Sequence, residues 1–282
     1  MNETDFEEHR AHLCGVAYRM LGSLSEADDA VQEAWLRLNR AETRDVANIR
    51  GWLTTVVARV CLDMLRSRKS RAEEPAPEAI ADQPSRSDPE SEVLLADSVG
   101  VALLVILDTL DPAERLAFVL HDVFAVPFDE IASIVGRSPD ATRQLASRAR
   151  RRVQGAPPIP EAELVSQRKV VSAFLTAIRN ADVQGLLAVL DPDVVVHADQ
   201  PDGGRKTLRG AANWAKGAVA FSRGIRFADA ALVDGSVGLV VANRGRLFRA
   251  IHFTFGSNSK IVGAEVIADR ARLEALDVGV LA

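Results

Sequence analysis

Tyrosine is nearly absent. Tyr18 is the only one in 282 residues, and aromatics make up 5% of the chain. An oxyanion hole of the isomerase type uses a tyrosine hydroxyl, so none can be built from the later part of the chain. Cysteine is as scarce. Cys14 and Cys61 stand far apart in apolar helical contexts, which excludes a disulfide framework and reads as buried free thiols. His9, His12 and Cys14 lie close together, but their spacing matches no zinc pattern and no second ligand cluster follows. No metal and no cofactor are expected. No uncharged apolar run reaches the roughly 18 residues of a membrane span. The opening MNETDFEEHR is acidic and polar, unlike a signal peptide, so a cytoplasmic location is expected.

What is present is a divided charge. The total is −5, yet positive charge gathers at Arg66, Arg68, Lys69 and Arg71 and again from Arg143 to Arg152. The acidity elsewhere opposes non-specific binding to a polyanion. Such a chain should bind DNA poorly alone and need a partner to hold it there. The length suggests two or three domains, and the 48% apolar content is enough for their cores.

Residues 1–71 read as helices over Asp5 to Leu21, Ser25 to Asn39 and Arg50 to Arg68, from apolar positions at helical spacing such as Ala30, Ala34 and Leu38. Residues 72–98 begin AEEPAPEAIADQPSRSDPESE, a linker of acids, prolines and small residues with no means of forming a core. Helices resume from Val93 to Leu110 and from Pro112 to Val123. A second proline-rich break, 154–163, precedes a different pattern. Leu164 to Arg179 and Val183 to Leu190 look helical, Asp193 to Ala198 is β-branched, and a glycine-rich loop opens a helix over Leu208 to Phe221. Strand-like runs follow at Ile225–Leu232, Ser236–Asn243, Leu247–Thr254 and Ile261–Ala268. Helices followed by antiparallel strands imply a separate α+β domain over 164–282.

Within residues 99–153, DEIASIVGRSPDATRQLASRARRRV reads as a helix-turn-helix. Ile131, Ala132, Ile134 and Val135 give the first helix an apolar face. Gly136 supplies the turn, Ser138 the N-cap, and Pro139 the first helical position. Thr142, Leu145, Ala149 and Val153 share the inner side of the second helix. Arg143, Gln144, Ser147, Arg148 and Arg151 face outward, with types suited to base edges and phosphates in a major groove. Arg150 and Arg152 suit phosphates. A basic solvated helix on another fold is the plain alternative.

Residues 17–38, AYRMLGSLSEADDAVQEAWLRL, and 48–71, NIRGWLTTVVARVCLDMLRSRKSR, resemble the conserved region 2 of bacterial RNA polymerase sigma factors. LDTLDPAERLAFVLHDVFAVPFDEIA and the helix-turn-helix resemble region 4. Two such all-α domains on an acidic linker look like the extracytoplasmic-function class (group 4). The resemblance implies a promoter-specificity subunit that docks on the β′ clamp and β flap of core RNA polymerase, with Asp28, Asp29, Gln32, Glu33 and Trp35 facing the clamp. It implies that Arg50, Arg59, Arg66, Arg68, Lys69 and Arg71 serve −10 reading and melting. The loop Thr43 to Gly51 would pocket a flipped base. Many relatives carry asparagine where Arg59 stands. Trp52 reads as a core anchor or a stacking platform. Arg143, Gln144, Ser147, Arg148 and Arg151 would serve the −35 element.

QRKVVSAFLTAIRNADVQGLLAVLDPDVVVHAD resembles the opening of the SnoaL-like group of the nuclear-transport-factor-2-like fold. The whole then looks like the sigma-J-like subgroup, in which this extension is thought to regulate in place of a separate anti-sigma factor. The subgroup's D-G-G-G-K loop reads Asp202, Gly203, Gly204, Arg205, Lys206 here, with arginine for the third glycine. An unknown small-molecule ligand could occupy the cone of such a domain. A competing reading is a helix-turn-helix regulator fused to an isomerase-like or cyclase-like enzyme, with His197, Asp199, Asp202 and His252 as proton-moving groups. A plain turn at 202–206, and structural roles for both histidines, stay open beside these.

Overall fold

A computed structural model describes residues 3–40, 48–71, 100–155, 159–200, 203–220, 225 and 227–281. The acidic linker, most of the loop from Thr43, Asp202 and the side chain of Arg71 lie outside them. The described residues form two compact units: 3–71 with 107–152, and 100–106 with 153–281.

The first unit begins with three helices, α1 (Glu3–Leu21), α2 (Leu24–Arg40) and α3 (Ile49–Arg71), packed on one another. Gly22, at φ 75°, turns the chain after α1, and its N–H returns to the Tyr18 carbonyl at 2.8 Å. Leu13, Val16, Ala17 and Met20 of α1, Ala30 and Ala34 of α2, and Leu53, Val57 and Cys61 of α3 are fully buried. Burial pushes the Cys61 thiol up to about 12, and burial with the Asp28 carboxylate pushes Cys14 up to about 11. Both are free and inert at neutral pH.

The same unit contains α5 (Pro112–Phe118), a π-helical turn (Val119–Val123), α6 (Phe128–Val135) and α7 (Pro139–Gln154). The single helix expected over Pro112 to Val123 thus ends in a wider turn. The two halves of this unit are joined by a buried cation. Arg115 is 2% exposed. Its Nε donates to the Arg19 carbonyl at 3.1 Å, and Nη1 pairs with Asp108 at 3.3 Å. Arg19 lies in the last turn of α1, where carbonyls lack helical partners, so the guanidinium acts as a cap.

The second unit is a mixed seven-stranded sheet in the order β2-β1-β6-β5-β4-β3-β7. Its strands are β1 (Leu190–Asp199), β2 (Arg205–Arg209), β3 (Ala228–Val233), β4 (Ser236–Asn243), β5 (Arg246–Phe255), β6 (Ile261–Ile267) and β7 (Val278–Gly279). The expectation of antiparallel strands holds for every pair but β1–β6, which is parallel. The helix expected from Leu208 is also corrected. Residues 205–209 form edge strand β2, and the helix α10 begins at Ala211. Charged, exposed β2 lacks the apolar alternation by which strands are read, as suits an edge that must not pair further. Asp234–Gly235 and Arg244–Gly245 make two-residue hairpins with both φ positive.

Helices α8 (Glu161–Arg179), α9 (Val183–Val189) and α10 (Ala211–Ala220) supply the main core with one sheet face. Phe174, Trp214 and Phe253 meet there, with Phe174 5.2 Å from each of the other two rings. The β4 run from Val237 to Ala242 is buried at every residue, the mark of a strand covered on both sides. Val237, Leu239 and Val241 join the main core. Val240 and Ala242 turn to the start of α4 (Val101–Thr109), where Val101, Ala102 and Val105 pack with Ala231, Val233 and Val278. Gly238 lies where β5 passes close: a Cβ there would stand 2.5 Å from the Ile251 carbonyl oxygen and 2.8 Å from Val233 Cγ2. Gly238→Ala is expected to cost about 1–3 kcal/mol by overpacking. Thermal unfolding checks this, and an unchanged midpoint would contradict it.

Candidate nucleic-acid interface

The helix-turn-helix closes as its residues dictate. Gly136 adopts φ 74°, ψ 38°, and its N–H bonds the Ala132 carbonyl. The Ser138 hydroxyl accepts from Ala141 N at 3.2 Å, and α7 starts at Pro139. Ile131, Ala132, Ile134 and Val135 are buried, as are Thr142, Leu145, Ala149 and Val153. Arg143, Gln144, Ser147, Arg148 and Arg151 are all exposed along one side of α7.

Their electrostatic settings differ. Arg148 Nε donates to Glu114 Oε1 at 2.7 Å, and Arg152 approaches the other oxygen of the same carboxylate at 3.8 Å. Arg150 Nε donates to Asp122 at 2.8 Å. Arg143 pairs with Asp140 one turn back and lies over the Phe128 ring, 5.6 Å from its centroid. Glu114 and Asp122 were not foreseen in the sequence. They lie far from α7 in the chain, and no local pattern links an acid on α5 or in the π-helical turn to an arginine on α7.

On α2, Asp29 and Gln32 are exposed and Glu33 pairs with Arg37 at 2.9 Å. Asp28 is about half exposed, accepting a weak bond from Cys14 Sγ at 3.7 Å and lying 4.0 Å from Arg10 Nη2. Trp35 packs against Phe6 at a tilt, with ring centroids 4.8 Å apart. Leu36 was also not foreseen: it stands out 42% exposed beside Asp29, Gln32 and Glu33. On α3, Arg50, Arg59, Arg66 and Lys69 are exposed, whereas Arg68 is partly covered and paired with Glu26. Lys69 pairs with Asp111. Trp52 is half-buried. His12 and Cys14 turn to different partners, and among the described residues no three metal-ligating side chains converge.

In the second unit, Gly203, at φ 81°, turns the chain after β1, bonding back to Gln200. Arg205 and Lys206 belong to β2, and Arg205 pairs with Glu265. Asp199 is bound by the Ala268 and Asp269 N–H groups and by Arg272 at 2.7 Å. Burial works against its charge, but these donors outweigh it and hold the carboxyl below the usual range. A base so committed has little tendency to take a proton. His197 and His252 bond to Thr207 and Ser236 on neighbouring strands.

Two family models match: sigma-70 region 2 over residues 6–71 and sigma-70 region 4 over residues 100–153. A probable ECF RNA polymerase sigma factor, SigI of Mycobacterium tuberculosis (strain CDC 1551 / Oshkosh), is 42% identical over 199 residues, which cover 69% of each chain. The chain belongs to the extracytoplasmic-function sigma factors. The M. tuberculosis (strain ATCC 25618 / H37Rv) ECF sigma factor SigJ is 41% identical over 71% of this chain and 65% of its own length. The crystal structure of M. tuberculosis SigJ aligns over 96% of this chain and 98% of that one, at 34% identity and TM-score 0.48. The sigma factor thus works in transcription initiation, with core RNA polymerase and promoter DNA as its partners. Among its described residues no helix is long and apolar enough to cross a membrane.

Proposed function

We propose that this sigma factor reads the −35 element through Arg143, Gln144, Ser147, Arg148 and Arg151. Their common exposure on one side of a capped recognition helix carries the reading. Arg50, Arg59, Arg66, Arg68, Lys69 and Arg71 serve the −10 element and the melted strand. Asp28, Asp29, Gln32, Glu33 and Trp35 form the clamp-facing surface of α2, with Leu36 as its apolar anchor. Region 4 meets the β flap.

The C-terminal domain is SnoaL-like and regulates without chemistry, taking the place of a separate anti-sigma factor. The burial of Val101, Ala102 and Val105 against its sheet supports this, because α4 falls within region 4. Gly203 and Gly204, with Asp202, and the start of β2 at Arg205 and Lys206 form its regulatory element. Phe174, Trp214 and Phe253 belong to its main core, and an unknown small molecule bound beside them would be its ligand.

Leu36→Asp puts a charge where the apolar anchor stands. Its capture of core polymerase is expected to fall at least about fivefold, the loss of one interface anchor. Unimpaired capture, with helicity intact by circular dichroism, would remove α2 from the docking surface.

A further inference from the structure

His12, on α1, is not among the groups assigned above, yet its ring is fixed on both nitrogens. Nε2 lies 3.1 Å from Thr54 Oγ1, and Nδ1 lies 3.0 Å from Arg50 Nη2. One proton arrangement fits. The Thr54 hydroxyl donates to the Arg50 carbonyl at 2.8 Å, so its oxygen must accept from His12. The Arg50 guanidinium can only donate, so Nδ1 must be bare. The imidazole is therefore neutral, with its proton on Nε2. A second proton on Nδ1 would set donor against donor and charge against charge.

The surroundings enforce this state. Burial lowers the histidine first, Arg50 second and His9 third. Arg50 faces it from α3, His9 from its own helix, and the apolar ring of Phe124, after the π-helical turn, stands perpendicular to it with centroids 5.2 Å apart. Among the described residues no carboxylate contributes to the shift. Thr54 is buried, whereas Arg50 is exposed, with the ring as its side-chain partner among the described residues.

We propose that His12 is a positioning residue that holds the Arg50 guanidinium ready for the promoter, and that it releases Arg50 on taking a second proton. The proposal rests on the reading of Arg50 as a promoter contact. A long side chain held in place before binding loses less freedom when it meets a phosphate. Promoter opening should therefore weaken as pH falls below the ordinary histidine range, where the neutral ring is lost.

Open-complex formation by the full chain with core polymerase, measured from pH 5.5 to 8, tests this against His12→Gln, which does not titrate. The ratio of wild type to His12→Gln is expected to fall roughly two- to tenfold from the alkaline to the acid end, the cost of ordering one long side chain. Arg50→Ala should be impaired throughout and remove the pH dependence of that ratio when combined with either residue at position 12. In the free protein, 15N spectra should report a bare Nδ1, and Arg50→Ala should let His12 protonate at higher pH. A flat ratio with Arg50→Ala impaired overturns the positioning role alone. Unimpaired Arg50→Ala overturns the promoter role of Arg50 and the proposal with it.

Discussion

Arg148→Ala is expected to cut transcription from promoters with a −35 element by roughly 5- to 150-fold, the worth of about 1–3 kcal/mol for one bidentate base contact. Promoters lacking that element should be nearly unaffected. The restriction to one element rests on the proposed reading of α7 as the −35 helix, whose exposed side carries Arg148. Its bond to Glu114 decides how it stands there. The arginine side chain is 47% exposed while that of Glu114 is 10% exposed, so the carboxylate is fixed and the cation is accessible. A half-exposed pair contributes little to stability, and DNA can compete for the free edge of the guanidinium. Transcription in vitro on paired templates, with and without the −35 sequence, measures the effect. Equal losses on both would show that Arg148 acts elsewhere. Should it hold a phosphate instead, the loss would be uniform across sequences and the salt slope would fall by about one.

Arg115→Ala should lower the stability of the first unit by about 3–5 kcal/mol, as for other buried charges cut from their partners. The midpoint of thermal unfolding should drop on the order of 10 °C. Three losses combine. The Arg19 carbonyl at the end of α1 loses its cap, Asp108 loses its cation, and a cavity opens beside α3. Burial lowers the affinity of this guanidinium for its proton, and Asp108 offsets that. Arg115→Lys should rescue only part of the loss, because an ammonium cannot serve the carbonyl and the carboxylate with one planar fork. A midpoint within a degree or two of wild type for Arg115→Ala would refute the account.

Much of this was legible locally. The caps and burial of the helix-turn-helix follow from Gly136, Ser138, Pro139 and the spacing of Leu145 and Ala149. The bounds of strand β4 are legible because five apolar residues and Gly238 stand between two turn pairs. What escaped was long-range. Glu114 with Arg148, Arg115 with Arg19, and His12 with Arg50 join residues from separate helices, and no pattern along the chain announces such pairs. Strand β2 escaped because its residues face solvent. The parallel β1–β6 pair escaped because pattern shows that a strand exists but not which neighbour it takes.

One helix belongs to both units. Residues 101–106 of α4 are counted with the C-terminal sheet and residues 107–109 with the unit of the recognition helix. A chain cut after Val153 would therefore leave Val101, Ala102 and Val105 bare to water. Any change in transcription by such a fragment would mix the missing domain with a newly sticky helix. Point substitutions on the sheet side, at Val233 or Val240, are the cleaner way to ask what the tail contributes.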